Sequence, residues 1–100
     1  MPIYIPLSKG LKNAGWTVKI YDNEGPEEPH VTIRWRTEAW RVSLRTRKFL
    51  VPPGGRWKDI PQEIINALAD ETNWRKLQAY WDSNNPHNPV QSDDTSHDKP

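Results

Sequence analysis

The sequence contains arginines at alternating positions, and their type and spacing suit the binding of anions. Arg34 and Arg36 are two residues apart, and Arg41 and Arg45 are four residues apart in the next stretch. Because alternate residues of an extended strand lie on one face, these guanidinium groups would share a surface. Guanidinium forks bind phosphate and carboxylate groups through paired hydrogen bonds. The predicted binding residues on or beside this surface are Lys19, Tyr21, His30, Arg34, Arg36, Arg41 and Arg45.

Such a surface predicts an anionic partner, either a nucleic acid or an acidic protein. The net charge of the chain is only +1, but residues 30–58 contain eight lysines and arginines against one acid, Glu38. A basic sheet face is one way in which proteins hold RNA. The alternative is a solvated face whose arginines pair with Glu24, Glu27 and Glu28 of a nearby acidic loop.

His30 is the only histidine inside the predicted fold, and its imidazole could transfer a proton in a small ribonuclease. We favour the alternative, a histidine that hydrogen-bonds its neighbours at the start of a strand, because no second acid or base is visible beside it. His87 and His97 lack the spacing of metal ligands. The sequence therefore predicts no catalytic residue, no metal and no cofactor.

Two alternating runs in residues 29–44 must position these side chains, and they predict a β-hairpin. The apolar residues that would share its buried face are Val31, Ile33, Trp35, Trp40, Val42 and Leu44. If Thr37 and Glu38 form the loop, Trp35 lies opposite Trp40, and Arg34 lies opposite Arg41. Opposed like charges destabilise a sheet, so this register also favours an anion at the outer face.

The remaining pattern predicts an α+β fold, with a small antiparallel sheet of three to four strands. Residues 16–22 alternate as a strand, residues 1–7 suit an edge strand, and residues 8–15 and 52–59 suit loops. Two apolar stripes, in residues 64–68 and 74–81, are out of phase, which predicts one kinked helix or two short helices that meet near residues 71–73. Residues 1–83 would form a single domain, and the polar, proline-containing residues 84–100 would form a disordered tail.

Composition limits the class of protein. A chain of 100 residues has room for one domain. It has no cysteine, which excludes disulfides and thiol chemistry. It also has neither an apolar run of about 20 residues, as a membrane span needs, nor the pattern of a signal peptide. We therefore expect a cytoplasmic protein without a membrane partner.

Two segments, KIYDNEGPEEPHVTI and LQAYWD, are separated by an alternating strand and resemble segments of a known family. Their order is similar to that of a family of small bacterial proteins catalogued as a domain of unknown function, which has an acidic loop, a Pro-His-Val step and a closing helix with Leu and Trp. The resemblance covers residues 16–81. In that family a second histidine commonly follows two positions after the first. This chain has Thr32 at that position, so it lacks the pair of histidines that could bind a metal or transfer protons.

The resemblance implies a protein partner or an RNA target, because such genes often stand beside a small partner gene, as toxin and antitoxin genes do. Two hypotheses follow from the residues and the resemblance together. The first is a non-catalytic binding module that uses the basic sheet face. The alternative is a toxin-like small ribonuclease with His30 in proton transfer.

Overall fold

A computed structural model describes residues 3–20 and 27–90 of the chain. Five antiparallel strands form one sheet in chain order. The strands are β1 (Ile3–Tyr4), β2 (Trp16–Ile20), β3 (His30–Trp35), β4 (Glu38–Ser43) and β5 (Phe49–Val51). The helices are α1 (Lys9–Ala14), α2 (Gln62–Ala69) and α3 (Glu71–Asn84), with a 3-10 turn at Trp57–Asp59. The predicted α+β class, with an antiparallel sheet against two C-terminal helices, is confirmed.

The hairpin of β3 and β4 forms with a register two residues away from the predicted one. Ile33 pairs with Trp40 and Arg34 pairs with Ala39, so the predicted pairing of Arg34 with Arg41 is wrong. The turn consists of Arg36 and Thr37 rather than Thr37 and Glu38, and Arg36 adopts a left-handed backbone with φ 57°. A shift of two residues leaves every side chain on its predicted face.

The apolar face of the sheet packs on α2 and α3, and we call it the core face. Val18, Ile33 and Val42 are at most 1% exposed on this face. They join one cluster with residues of both helices, which are Ile64, Leu68, Trp74, Leu77 and Trp81. At one end of the face, Trp16 stacks between two other indole rings, with centroid distances of 5.1 Å to Trp35 and 5.7 Å to Trp40.

The two C-terminal helices meet at Asp70, one residue before the predicted junction. Asp70 ends α2 in an extended conformation, and its carboxylate accepts a hydrogen bond from the backbone N–H of Asn73 over 3.1 Å. An aspartate at this position satisfies a free amide of the new helix. Asp70 is therefore both the end of α2 and the cap of α3.

Two short elements were predicted as loops or not predicted at all. Residues 9–14 form α1, which begins after Ser8, whose Oγ accepts from Leu11 N, and ends at Gly15, where φ is 98°. Strand β5 pairs with β4 through a β-bulge beside Arg41 and Val42. Both elements are too short to produce a periodic sequence pattern.

Residues 84–90, which the sequence analysis assigns to the tail, pack against the folded unit. Asn84 ends α3, and Val90 is 4% exposed in the main core cluster. The backbone N–H of Val90 donates to Asp82 over 2.7 Å, and the indole N–H of Trp81 donates to the carbonyl of Asn88 over 2.8 Å. The folded unit therefore continues past residue 83, while residues 91–100 lie outside the described part of the chain. Within residues 3–20 and 27–90, no helix is long and apolar enough to cross a membrane.

Candidate functional site

A row of paired residues crosses the sheet on the face opposite the core face, which we call the open face. From β1 to β5 the row consists of Tyr4, Lys19, Thr32, Arg41 and Val51, each paired with the next. Directly paired residues share a face. Tyr4 is 53% exposed and Val51 is 41% exposed, and they are the exposed large apolar residues of the described part of the chain. Two cations therefore lie between an exposed aromatic ring and an exposed aliphatic side chain.

Arg34 adds a third cation one row along the open face. It pairs with Thr17 on β2 and with Ala39 on β4, and it is exposed. Lys19 and Arg41 are its diagonal neighbours on the adjacent strands, a relationship that spans about 7–8 Å and is within reach of long side chains. The observed register thus groups Arg34 and Arg41 without placing them in direct opposition.

Lys19 contacts the aromatic residue at the edge of the row. Its ammonium lies 5.1 Å from the ring centroid of Tyr4 and donates to the phenolic oxygen over 3.4 Å. A cation over an aromatic ring is held by the electrostatic field of the ring. Tyr4 and Lys19 therefore form one unit, which presents an aromatic face next to a positive charge.

Thr32 lies in the middle of the row, between Lys19 and Arg41. It is 3% exposed, and its hydroxyl has no hydrogen-bond partner among residues 3–20 and 27–90. A buried hydroxyl without a partner costs free energy. Thr32 therefore belongs to the row by its position, but its buried hydroxyl is not accessible to a ligand.

Arg41 forms an ion pair with the acidic loop. Its Nη1 lies 2.8 Å from Oε1 of Glu27, and the two side chains are 37% and 50% exposed. This contact supports, for one arginine, the alternative that the acidic loop neutralises the basic face. Exposed pairs of this kind contribute about 1 kcal/mol or less, so a phosphate or carboxylate could replace Glu27.

His30 falls on the open-face side of β3 by alternation, but unlike the exposed Arg34 it is buried. It is 1% exposed, its Nδ1 donates to the carbonyl of Glu28 over 2.8 Å, and its ring centroid lies 5.4 Å from that of Trp81. Docking of α3 and residues 85–90 beside the start of β3 accounts for this burial. An imidazole at this depth cannot reach a substrate on the open face, so its position gives no support to a ribonuclease.

Arg45 holds the C-terminal segment instead of facing an anion. Its guanidinium donates to the carbonyls of Pro89 and Val90, each over 2.7 Å, and to the side-chain oxygen of Asn88 over 3.2 Å. Carbonyl oxygens satisfy its donors in place of phosphate. The structure therefore places Arg45 in the contact with residues 88–90, apart from the row of the open face, and its role as a binding residue stays a prediction.

Arg36 and Tyr21 complete the predicted set. The guanidinium carbon of Arg36 lies 4.6 Å from the centroid of the Trp35 ring, at the hairpin turn. This contact directs Arg36 toward the tryptophan stack and away from the row of the open face. Tyr21 lies outside the described residues.

Of the predicted residues, the structure brings together Lys19, Arg34 and Arg41. Two members of the row, Tyr4 and Thr32, are not among the predicted binding residues. One signal could have found Tyr4: in residues 3–7 it stands on the opposite side from Ile3, Ile5 and Leu7. If those residues face the core, the aromatic ring lies on the open face.

Comparison with known proteins gives no relative. No family model, no curated protein and no solved structure matches the chain. The resemblance to a bacterial family of unknown function therefore stays a prediction.

Proposed function

We propose that this protein is a non-catalytic binding module whose open face holds single-stranded RNA. The observation that carries the proposal is the row that joins Tyr4, Lys19 and Arg41 across the sheet, with Arg34 beside it. Proteins that bind single strands combine cations for the phosphates with aromatic rings on which bases stack.

Tyr4 favours nucleic acid over an acidic protein as the partner. An acidic protein surface needs cations and has no particular need for an exposed ring, whereas every nucleobase has a face that stacks. In the proposed complex a base stacks on Tyr4, and neighbouring phosphates contact Lys19 and Arg34. Arg41 leaves Glu27 for a further phosphate.

The test is a double charge reversal, Arg34→Glu with Arg41→Glu. Binding of a short fluorescein-labelled oligouridine is measured by fluorescence anisotropy, and folding is checked by circular dichroism. We expect the reversal to abolish binding while the fold persists, because Arg34 is exposed and Arg41 is partly exposed. The matched control is Arg75→Glu with Lys76→Glu, which changes the net charge equally at two exposed positions of α3.

Salt dependence provides a second readout. Each phosphate neutralised on a single strand contributes about −0.7 to the slope of log affinity against log salt concentration. Three cations therefore predict a slope of about −2 for the wild type. Salt-insensitive binding, or an equal loss in the α3 control, would refute RNA binding by the open face. Equal affinity for polyglutamate would favour the acidic-protein alternative.

A further inference from the structure

A cavity lies beside the helices and shares no residue with the open face. It has a volume of about 200 Å³ and lies between α2, the start of α3, the 3-10 turn and the connection from β4 to β5. The residues that line it are Arg47, Trp57, Ile65, Leu68, Ala69 and Trp74. We call it the Trp74 cavity. Its walls are apolar, and Arg47 provides the one charge in its lining.

Arg47 is fixed over the cavity by two contacts. Its guanidinium carbon lies 4.6 Å from the centroid of the Trp74 ring, and its Nη2 donates to Oε1 of Glu71 over 2.6 Å. The backbone of Arg47 is left-handed, with φ 63°, a conformation that favours glycine. The backbone conformation at residue 47 would suit glycine better, but the arginine that occupies it places a guanidinium group at the cavity.

The volume and the charge together define a class of ligand. An apolar cavity of about 150 Å³ binds benzene, so the Trp74 cavity, at about 200 Å³, has room for one aromatic ring with a short substituent. The guanidinium already binds a carboxylate, that of Glu71. The Glu71 side chain is 59% exposed and Arg47 is 44% exposed, so the pair is accessible to exchange with a ligand anion.

We propose that the Trp74 cavity binds a small aromatic carboxylate. The ring of the ligand packs against Trp57 and Trp74, and its carboxylate replaces Glu71 on Arg47. This site is independent of RNA binding, because none of its lining residues belongs to the open face.

The probe is phenylacetate, with phenylacetamide as the neutral analogue of the same shape. Binding is followed by two-dimensional NMR of ¹⁵N-labelled protein, through the indole N–H resonances of Trp57 and Trp74. We expect saturable shifts of these two resonances with phenylacetate. The affinity for phenylacetamide should be about tenfold weaker, because the difference in free energy between a charged and a neutral hydrogen bond corresponds to roughly that ratio of affinities. Absence of saturable binding, or equal affinity for the two probes, would overturn the proposal.

Two variants separate the charge from the cavity. Glu71→Gln removes the competing carboxylate, so it should tighten phenylacetate binding about twofold to fivefold and leave phenylacetamide binding unchanged. Ala69→Leu fills the cavity and should abolish binding of both probes, whereas Ala79→Leu, at an exposed position of α3, should bind as the wild type does. Retained binding in Ala69→Leu, or no response to Glu71→Gln, would place the ligand elsewhere and refute the site.

Discussion

Arg41 donates from the centre of the open face to the carboxylate of Glu27, over 2.8 Å. The ion pair joins a residue of β4 to the acidic segment that precedes β3. Any anion that binds at Arg41 must compete with this carboxylate. In the proposed complex, Glu27 would therefore lower the affinity of the open face for an anion.

The first prediction concerns this competition. Glu27→Gln should raise the affinity for oligouridine about twofold to fivefold, because an exposed ion pair is worth about 0.2–1 kcal/mol. Fluorescence anisotropy measures the change. The control is Glu38→Gln, which alters the net charge equally at the exposed first residue of β4. Equal gains in both variants would mean that net charge, rather than release of Arg41, determines the affinity.

The second prediction concerns the aromatic ring at the edge of the row. Tyr4→Ala should weaken oligouridine binding by about 1–3 kcal/mol, the contribution of one stacked base. Tyr4→Phe should keep most of the affinity, since it keeps the ring and loses only the weak contact of its hydroxyl with Lys19. Equal losses in the two variants would assign the role to the hydroxyl and contradict stacking.

The third prediction concerns the tryptophan stack. Trp40 is 6% exposed, so Trp40→Ala should lower the free energy of unfolding by about 3–5 kcal/mol through lost burial and the cavity left behind. Trp35 is only partly buried, and Trp35→Ala should cost less. Urea denaturation monitored by circular dichroism gives both values. A larger loss for Trp35 would show that the outer ring, rather than the buried one, carries the stability of the stack.

The fourth prediction tests whether residues 85–90 belong to the folded unit. Val90→Ala should lower the free energy of unfolding by about 2 kcal/mol, because it removes about two buried carbon groups at about 0.8 kcal/mol each and leaves a small cavity. Val51→Ala makes the same change at a side chain that is 41% exposed, and its effect should stay within about 0.5 kcal/mol. Thermal and urea unfolding measure both. Equal effects would mean that Val90 is not packed in solution.

The faces of the strands could be predicted from the sequence, but the pairing could not. Alternation of apolar residues assigns Ile33 and Trp40 to the core face in any register that keeps the parity. The choice among such registers depends on where the turn lies. Arg36 occupies a left-handed turn position, but it is neither glycine nor asparagine, the residues that usually mark such a position in a sequence. The predicted register differs by two residues because the sequence contains no typical turn residue at Arg36.

The composition of the candidate site was predictable only in part, because its long-range contacts leave no local pattern. Lys19, Arg34 and Arg41 were found because strand alternation places basic residues on one face. His30 and Arg45 obey the same alternation, yet α3 and residues 85–90 bury one and use the donors of the other. A polar segment with prolines looks disordered from its composition, although one buried valine and hydrogen bonds with Trp81, Asp82 and Arg45 hold it on the fold.

The parallel indole rings of Trp16 and Trp35 have an optical consequence. The ring centroids lie 5.1 Å apart, and those of Trp16 and Trp40 lie 5.7 Å apart, so the electronic transitions of three stacked chromophores are close enough to interact. Interacting transitions of this kind split into an exciton couplet in the circular dichroism spectrum. Because the stack draws on β2, β3 and β4 together, the couplet reports the joining of three strands without any attached label.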